Sequence, residues 1–310
     1  MVIRLVISRS PRIHATFAQL TGENLTYEAI LSPIDGFQKV VADFFADPAA
    51  KGLNVTLPFK EQAYALSDVK SLRATQAGAV NTLMKGKDGR LYGDNTDGVG
   101  LVRDMTQNLG WTLAGKRILV VGAGGAVRGV LGVLLAANPV QLLIANRTHS
   151  KAHALADIFQ QYGQITALRF EDIAPHSIDV VINGSSASLM GELPPLGADI
   201  LAAGACAYDM AYGKPKLPFL EWATAQQATT SDGLGMLIEQ RKVFLFGVAY
   251  VSQPPICWQK YGRNYRFKSS SITVETWCWI RSRHSHKEET SVVVCCCDIR
   301  HAAAFAVNSE

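Results

Sequence analysis

A short apolar run that ends in three glycines constrains the fold of this chain more than any other stretch. The segment from Lys116 to Arg128 reads Lys-Arg-Ile-Leu-Val-Val-Gly-Ala-Gly-Gly-Ala-Val-Arg. This pattern is typical of a buried parallel strand, a tight turn and the start of a helix. Gly122 would allow the turn, and Gly124 and Gly125 would leave room for a pyrophosphate beside the free N–H groups of the helix. The sequence therefore predicts a dinucleotide site, although Val127 stands at the usual third glycine and an ordinary strand-to-helix turn is the alternative.

The residues after the next apolar run indicate which dinucleotide would bind. Val140 to Ala145 is a second strand-like run, and it is followed by Asn146, Arg147 and Thr148, with Lys151 one helical turn on. A carboxylate at this point would hold a ribose 2′-hydroxyl, whereas the cations of Arg147 and Lys151 would attract a 2′-phosphate. We therefore expect NADP(H) rather than NAD(H). The alternative is that both cations are solvated charges at a helix start.

Length and composition are those of a globular protein. The chain has 310 residues, enough for two domains, with 48% hydrophobic and 18% charged residues and a net charge of +4. No apolar run approaches the roughly 20 residues that cross a membrane. Arg9 and Pro11 interrupt the first apolar run, so no secretory signal is expected either. These features predict a cytoplasmic protein that binds no membrane.

Charge and cysteine are distributed unevenly along the chain. After Gln240 there are ten Lys and Arg against five Asp and Glu, a net charge of +5, which leaves the first 240 residues at −1. Five of the six cysteines also follow this position, and only Cys206 precedes it. The basic character therefore belongs to the last part of the chain, and it is no reason to expect that the main body binds nucleic acid.

Serines near the N-terminus follow a predicted strand at Val2 to Ile7. The hydroxyls of Ser8 and Ser10 are placed to hydrogen-bond an anion just beyond the strand end. Ser10 could instead cap a helix from Pro11 to Leu20, and local evidence favours the cap because serine before proline is a common helix start.

Two charged side chains follow the next predicted strands. After a strand at Tyr27 to Leu31 and an amphipathic helix at Phe37 to Phe45, the stretch Gly52 to Lys60 predicts a strand and a proline-interrupted loop. Lys60 could be an ordinary exposed charge or a positioned acid or base. Asp97, in a glycine-bounded loop before a helical stretch, could cap that helix or serve in catalysis.

Six motifs occur together in one order. They are Ser-x-Ser-Pro, Asn-Val-Thr-x-Pro-Phe-Lys, Gly-Ala-Val-Asn-Thr, Gly-Asp-Asn-Thr-Asp-Gly, Gly-Ala-Gly-Gly-Ala and Asn-Arg-Thr. Their combination resembles the shikimate dehydrogenase family. The resemblance continues through Tyr208-Asp-Met-Ala-Tyr-Gly, Pro218-Phe219 and the segment from Asp232 to Gln240, and it covers roughly residues 8 to 240. An ordered set of motifs is far more specific than any one of them.

The resemblance implies an oxidoreductase of the shikimate pathway, which leads to chorismate and the aromatic amino acids. Family members reduce the C3 ketone of 3-dehydroshikimate to shikimate with NADPH, reversibly. Lys60 and Asp97 match the catalytic pair. Hydride delivery builds negative charge on the ketone oxygen, which a cation and a proton donor stabilise. The sequence does not divide the proton transfer between the two residues.

Further site residues are implied by the same resemblance. Ser8 and Ser10 match the pair that holds the substrate carboxylate, and the groups that bind the ring hydroxyls and the ketone match Thr56, Asn81 and Gln240. The residues matching the cofactor site are Gly122, Gly124, Gly125 and Ala126 at the pyrophosphate, Asn146, Arg147, Thr148 and Lys151 at the 2′-phosphate, and Met210, Tyr212 and Gly233 near the nicotinamide.

The implied architecture is α/β, with an N-terminal α/β substrate domain and a Rossmann-type, doubly wound nucleotide-binding domain. We expect residues 1–100 to form the substrate-binding catalytic domain around a mostly parallel sheet, and residues 101–233 to form the NADP-binding domain. Residues 234–256 would hold a helix that returns to the substrate domain. Phe170 to Ile173 and Ile178 to Ile182 are predicted to be strand segments. The sequence allows a homodimer without specifying the oligomeric state.

The chain departs from the family pattern at both ends. Near the N-terminus, Val6-Ile7-Ser8 replaces a loop that contains glycine and proline, which puts the carboxylate site in question. After Gln240 the expected helical period is absent, and the shift in composition indicates an altered reading frame or a foreign extension. Residues 257–310 are therefore expected to be a partly disordered tail, with an aggregation-prone run at Val292 to Cys296. Cys295 to Cys297, together with His284, His286 and His301, could be proposed as a zinc site. Three adjacent cysteines lack the paired spacing of such sites, so no metal is expected.

Two alternatives to an NADP-dependent shikimate dehydrogenase stay open. The first is a quinate/shikimate dehydrogenase that uses NAD, against which Arg147 and Lys151 argue. The second is a nucleotide-binding remnant without catalytic activity, because the region after Gln240 departs from the family.

Overall fold

The computed structural model describes residues 10–21, 24–213, 217–248 and 291–298, and it contains two six-stranded sheets. The N-terminal half alternates short helices and strands around the first sheet. Its helices are α1 (Ser10–Thr21), α2 (Phe37–Phe44), α3 (Lys60–Leu66), α4 (Leu72–Ala77) and α5 (Asp97–Arg103). Its strands are β1 (Leu25–Ser32), β2 (Ala50–Val55), β3 (Val69–Lys70), β4 (Thr82–Lys85) and β5 (Leu91–Asp94).

The sixth strand of this sheet comes from the far end of the chain. Its range is Ser291–Asp298, called β12, and the strand order is β1-β12-β2-β4-β5-β3. β12 pairs in parallel with β1 on one side and with β2 on the other. Within the tail that was expected to be partly disordered, these eight residues form a strand, and this run of β-branched residues and cysteines occupies an interior position of the sheet. The residues before and after β12, including His284, His286 and His301, lie outside the described residues.

The first sheet is mixed. β4 runs antiparallel to both of its neighbours, whereas the pairs β1–β12, β12–β2 and β3–β5 are parallel. The prediction of a mostly parallel sheet is thus confirmed for most pairings. Its core is a cluster of apolar side chains that includes Phe37, Leu53, Phe59 and Leu83.

The second sheet is parallel throughout and has helices between its strands. Its strands are β6 (Arg117–Val121), β7 (Gln141–Ala145), β8 (Ile165–Leu168), β9 (Ile178–Asn183), β10 (Leu201–Asp209) and β11 (Thr229–Ser231). The helices are α6 (Gly125–Ala136), α7 (His149–Phe159), α8 (Ala187–Met190) and α9 (Pro218–Ala225). Two apolar clusters fill its two faces, one with Val120 and Val130, the other with Val121 and Phe219. This arrangement confirms the predicted Rossmann-type domain.

The order of the second sheet places its functional edge. The strands lie in the order β11-β10-β9-β6-β7-β8, so the chain moves outward from β6 to β8 and then returns to the other side of β6. In open α/β sheets, ligands bind at the carboxyl ends of the strands where the order reverses. The glycine turn follows β6 at this point.

Two helical segments connect the two sheets. α5 continues as a π-helix at Asp104–Asn108 and leads into the second sheet, and α10 (Leu234–Val248) comes back from it and packs against α5. Gly100 permits this contact because an added Cβ would lie only 2.6 Å from Gln240 Cγ. The predicted returning helix is therefore present to Val248, and residues 249–256 lie outside the described part of the chain.

One local prediction was wrong, and the structure does not support the capping alternative at Asp97. Phe170–Asp172 is a 3₁₀-helix rather than a strand, and Ile173 packs in one face of the second sheet; the strand predicted at Ile178 to Ile182 is confirmed. Asp97 is the first residue of α5, and its side chain bonds other side chains instead of capping the helix. Among the described residues, no helix is both long and apolar enough to span a membrane.

Candidate active site

The lysine and the aspartate singled out in the sequence are in direct contact. Lys60 Nζ donates to Asp97 Oδ2 at 2.6 Å, and the two side chains are 17% and 5% exposed. Lys60 is the first residue of α3 and Asp97 the first of α5. A cation at the N-terminus of a helix is disfavoured by the helix dipole, and a carboxylate beside it offsets that cost. The pair therefore holds an ammonium group in a half-buried position.

Asn81 holds the other oxygen of the same carboxylate. Its Nδ2 donates to Asp97 Oδ1 at 2.7 Å and to Thr96 Oγ1 at 3.0 Å. Its Oδ1 accepts the backbone N–H of Thr96 at 2.9 Å. Both carboxylate oxygens of Asp97 thus have a donor, which fixes the orientation of the carboxylate.

The loop before Asp97 is fixed by a second ion pair. Arg73 Nε donates to Asp94 Oδ1 at 2.7 Å, and Arg73 Nη2 bonds the other oxygen of the same carboxylate. Ser71 Oγ donates to Asp94 Oδ1 at 2.5 Å, and Asn95 Oδ1 accepts the N–H of Asp97 at 3.1 Å. Of the two loop carboxylates, Asp94 anchors the loop, which leaves Asp97 as the one that faces Lys60.

The remaining predicted substrate residues lie on separate elements of the fold. Thr56 is half-buried in the turn that ends at Lys60, where its carbonyl accepts the N–H of Phe59. Gln240 is buried on α10, against Gly100 of the helix that Asp97 begins. Ser10 is buried at the start of α1, as predicted for a residue at a helix N-terminus, and α1 packs against β1 and α10. Ser8 lies outside the described residues.

The glycine turn has the geometry that a dinucleotide requires. Gly122 has a φ of 113°, a conformation that favours glycine, and its position lies against the Gly184–Ser185 backbone after β9. Gly124 and Gly125 face open space, since a Cβ added to either would meet no atom within 4 Å. Ala126 follows in the first turn of α6, where N–H groups have no helical acceptor. The turn therefore leaves space beside the helix N-terminus where a pyrophosphate could bind, and its binding there stays a prediction.

The residues predicted to hold the 2′-phosphate lie at the carboxyl end of β7. Arg147 and Lys151 are exposed, and Asn146 Nδ2 donates to the carbonyl of Thr148 at 2.9 Å, which closes the loop into α7. Two exposed cations next to a helix start suit a phosphate dianion.

The three residues predicted near the nicotinamide follow β10 and β11. An added Cβ at Gly184 would lie 3.0 Å from Met210 Sδ, and one at Gly233 would collide with the Met210 carbonyl. Tyr212 is half-buried two residues beyond Met210. Asp209, where β10 ends, is buried, and that burial raises the pKa of its carboxyl group. The structure thus brings Met210 and Gly233 together beside the loop that follows β9.

Three buried polar residues that link to Asn81 were given no role from the sequence, although Asn54 and Thr82 belong to two of the ordered motifs. Tyr27 Oη donates to Asn54 Oδ1 at 3.2 Å, and Asn54 Nδ2 donates to Thr82 Oγ1 at 3.3 Å. Thr82 Oγ1 in turn donates to Asn81 Oδ1 at 3.0 Å. Asn54 could have been found, because it lies two residues before Thr56 and alternate residues of a strand share a face.

Both halves of the chain are similar to known proteins. Residues 4–83 match the shikimate dehydrogenase substrate binding domain, and residues 104–190 match the shikimate / quinate 5-dehydrogenase family. The chain is 54% identical over 234 residues to the NADP(+)-dependent shikimate dehydrogenase of Alkalilimnicola ehrlichii, covering 75% of this chain and 86% of that protein.

Solved structures of similar proteins cover both domains. An Ael1 enzyme from Pseudomonas putida is 44% identical with a TM-score of 0.75, over 80% of this chain and 90% of that one. Shikimate 5-dehydrogenase from Thermus thermophilus, in complex with NADP(H) and shikimate, is 31% identical with a TM-score of 0.70, over 81% and 92% of the two chains.

Proposed function

The chain belongs to the shikimate dehydrogenase family, and from this premise we propose that it catalyses the reversible, NADPH-dependent reduction of 3-dehydroshikimate to shikimate. The observation that carries the proposal is the contact between Lys60 Nζ and Asp97 Oδ2 at 2.6 Å, in a chain that also has an open glycine turn suited to a dinucleotide. The curated relative named above, at 54% identity, is an NADP(+)-dependent shikimate dehydrogenase.

The proposed role of Lys60 is to stabilise charge on the substrate oxygen. When bound, NADPH supplies the hydride, and the ketone oxygen then gains negative charge. An ammonium group has three N–H donors, and among the described residues one of them bonds Asp97. The remaining donors would bond the oxygen and give it a proton, while Asp97 keeps the ammonium group oriented.

The proposed substrate contacts are neutral groups on three separate elements. Thr56 precedes α3, Asn81 precedes β4 and Gln240 lies on α10, so a ring held by all three would sit beside Lys60 and Asp97. We assign the ring hydroxyls to these residues and the carboxylate to the serines at positions 8 and 10. Directed polar partners discriminate strongly against analogues that lack a hydroxyl.

The proposed cofactor is NADP(H). The first turn of α6 would bind the pyrophosphate through its N–H groups, and Arg147 with Lys151 would bind the 2′-phosphate. A carboxylate that would favour NAD by bonding the ribose 2′-hydroxyl is absent from positions 146–148, which read Asn-Arg-Thr.

We place the reaction in the cytosol. This part of the proposal is supported by the thiol of Cys206, which forms no disulfide among the described residues, as is common in a reducing compartment. A homodimer stays a prediction, which sedimentation velocity of the full chain would decide.

A quinate/shikimate dehydrogenase that uses NAD is the second candidate, and one of the two matching family profiles includes quinate enzymes. Steady-state assays of the full-length protein with shikimate or quinate, each with NADP+ or NAD+, separate the two. We expect the highest kcat/KM with shikimate and NADP+. A higher value with quinate and NAD+ would support the second candidate, and binding of NADPH without turnover of either acid would identify a nucleotide-binding remnant.

A further inference from the structure

We propose that Thr82 is a positioning residue for the reaction, and that Asn54 and Tyr27 support it through a directed chain of hydrogen bonds. The chain runs from Tyr27 Oη through Asn54 and Thr82 to Asn81, and Asn81 bonds the carboxylate of Asp97. The inference rests on the proposed function, because it assigns these residues to the orientation of the Lys60–Asp97 pair.

The hydroxyl group of Thr82 gives the chain its direction. Asn54 Nδ2 has hydrogens to donate, so Thr82 Oγ1 must accept at that contact. A hydroxyl has a single proton, and the one of Thr82 is therefore free to go to Asn81 Oδ1 at 3.0 Å. The register of the sheet sets this up, since Asn54 on β2 lies directly opposite Thr82 on β4.

The amide of Asn81 then has one orientation. Its Oδ1 accepts both the Thr82 hydroxyl and the backbone N–H of Thr96, a group that can only donate. Its Nδ2 is consequently turned to Asp97 Oδ1 at 2.7 Å. The Thr96 hydroxyl also donates to Oδ1, at 3.2 Å. Without the Thr82 hydroxyl, one of the three donors to Oδ1 is lost, and the amide is less firmly aimed at the carboxylate.

The Tyr27 end of the hydrogen-bond chain is fixed by stacking against His14. The ring of Tyr27 lies on the ring of His14 with centroids 4.0 Å apart and an angle of 10° between the planes. Tyr27 on β1 reaches Asn54 on β2 although β12 lies between these strands in the sheet. All the linked side chains are buried, so water cannot readily replace a missing partner.

A purely structural role would have different consequences. The same bonds could only tie β2 to β4, in which case loss of the Thr82 hydroxyl would lower stability and leave the geometry at Asp97 unchanged. A positioning role requires a change at Asn81 and in turnover, and rescue by a residue that keeps the hydroxyl.

The test compares Thr82→Val, which keeps the shape and removes the hydroxyl, with Thr82→Ser, which keeps the hydroxyl. Thr224→Val is the matched control, because Thr224 is exposed on α9 and, among the described residues, its hydroxyl bonds only the Leu220 carbonyl. Two readouts are used on the full chain. One is kcat with shikimate and NADP+ together with KM for NADP+, and the other is hydrogen exchange of the Asn81 side-chain amide by NMR, which needs no activity.

For Thr82→Val we expect kcat to fall about tenfold or more, KM for NADP+ to stay within about twofold, and Asn81 amide exchange to accelerate about tenfold. Thr82→Ser should recover most of both, and Thr224→Val should match the wild type. Unchanged exchange in Thr82→Val, or faster exchange with unchanged kcat, would overturn the proposal. If the wild type itself lacks turnover while exchange responds as expected, the hydrogen-bond chain stands and the proposed function fails.

Discussion

Lys60 Nζ and Asp97 Oδ2 lie 2.6 Å apart although the two residues are separated by 37 positions in the chain. Each residue begins a helix that follows strands of the first sheet, and the sheet brings the two helix starts to one place. The helix dipole stabilises a carboxylate at a helix N-terminus. The negative charge of that carboxylate also offsets the unfavourable interaction between the lysine cation and the dipole of the neighbouring helix. The same contact therefore contributes to the stability of the substrate domain and lies in the site where we propose that the reaction occurs.

Asp97→Asn should remove the charge that holds the ammonium while keeping the side-chain size. Lys60 and Asn81 both donate to the Asp97 carboxylate, and the side-chain amide of an asparagine at position 97 would place its own N–H donors against one of them. We therefore expect kcat for shikimate oxidation to fall roughly a hundredfold or more. NADPH affinity, followed by fluorescence titration, should be unchanged. Asp88→Asn, at an exposed turn carboxylate, is the control. A decrease of less than about threefold would remove Asp97 from the mechanism.

Arg147→Ala should weaken NADPH binding and leave NADH binding nearly unchanged. The loss of one charged hydrogen bond to the 2′-phosphate corresponds to about 1.5–3 kcal/mol. Dissociation constants for both nucleotides, measured at one salt concentration, give the comparison. Arg117→Ala serves as control because Arg117 is an exposed arginine at the opposite end of β6 from the glycine turn. Equal weakening of both nucleotides would contradict the 2′-phosphate assignment.

His14 should make the protein less stable in acid. Burial, and then the positive charge of Arg241, lower the pKa of His14 from 6.5 to about 2. Below pH 6.5 the unfolded chain binds a proton that the folded chain does not, so this stability is present above pH 6.5 and is lost as the pH falls toward 2.

The matching variant is His14→Phe, which keeps a ring against Tyr27 and does not titrate. Between pH 7 and pH 5 the free energy of unfolding of the wild type should fall about 2 kcal/mol more than that of the variant, at about 1.4 kcal/mol per pH unit below 6.5. Urea unfolding at the two pH values measures it. Parallel losses in both proteins would mean that His14 is not the titrating group.

Val294→Pro should destabilise the substrate domain. Val294 lies in the middle of β12, paired with Glu28 on one side and Leu53 on the other. A proline at an interior strand position removes a ladder hydrogen bond, and we expect a loss of about 3 kcal/mol or more in the free energy of unfolding. Val294→Thr keeps a β-branched residue with its N–H and should cost far less. Equal stability of the two variants would mean that residues 291–298 do not occupy this position.

The sequence predicts the second domain well because its signals are local. An apolar strand, a glycine turn and a helix start are contiguous at residues 117–136, and the structure confirms each of them. The same reasoning failed at Phe170–Asp172, where a few apolar residues form a 3₁₀-helix and pack against the sheet without joining it. A run this short has too few residues to distinguish the hydrophobic periodicity of a helix from that of a strand.

The first domain was harder to predict because its organisation depends on contacts between distant residues. The composition after Gln240 differs from that of the preceding residues, which indicates an altered reading frame or a foreign extension. Composition alone does not indicate that β12 lies between β1 and β2. The series of hydrogen bonds that links Tyr27 to Asn81 could not be predicted for a similar reason. Asn54 and Thr82 become neighbours only through the antiparallel register of β2 and β4.

The most direct test of the account is the initial rate of nicotinamide reduction with shikimate and NADP+ in the full-length wild type and in Lys60→Met. We predict turnover by the wild type, and a kcat lower by on the order of 10²–10⁴ in the variant, with NADPH binding retained. Equal rates in the two proteins, or NADPH binding without turnover in the wild type, would contradict the assignment of Lys60 and Asp97 as a catalytic pair.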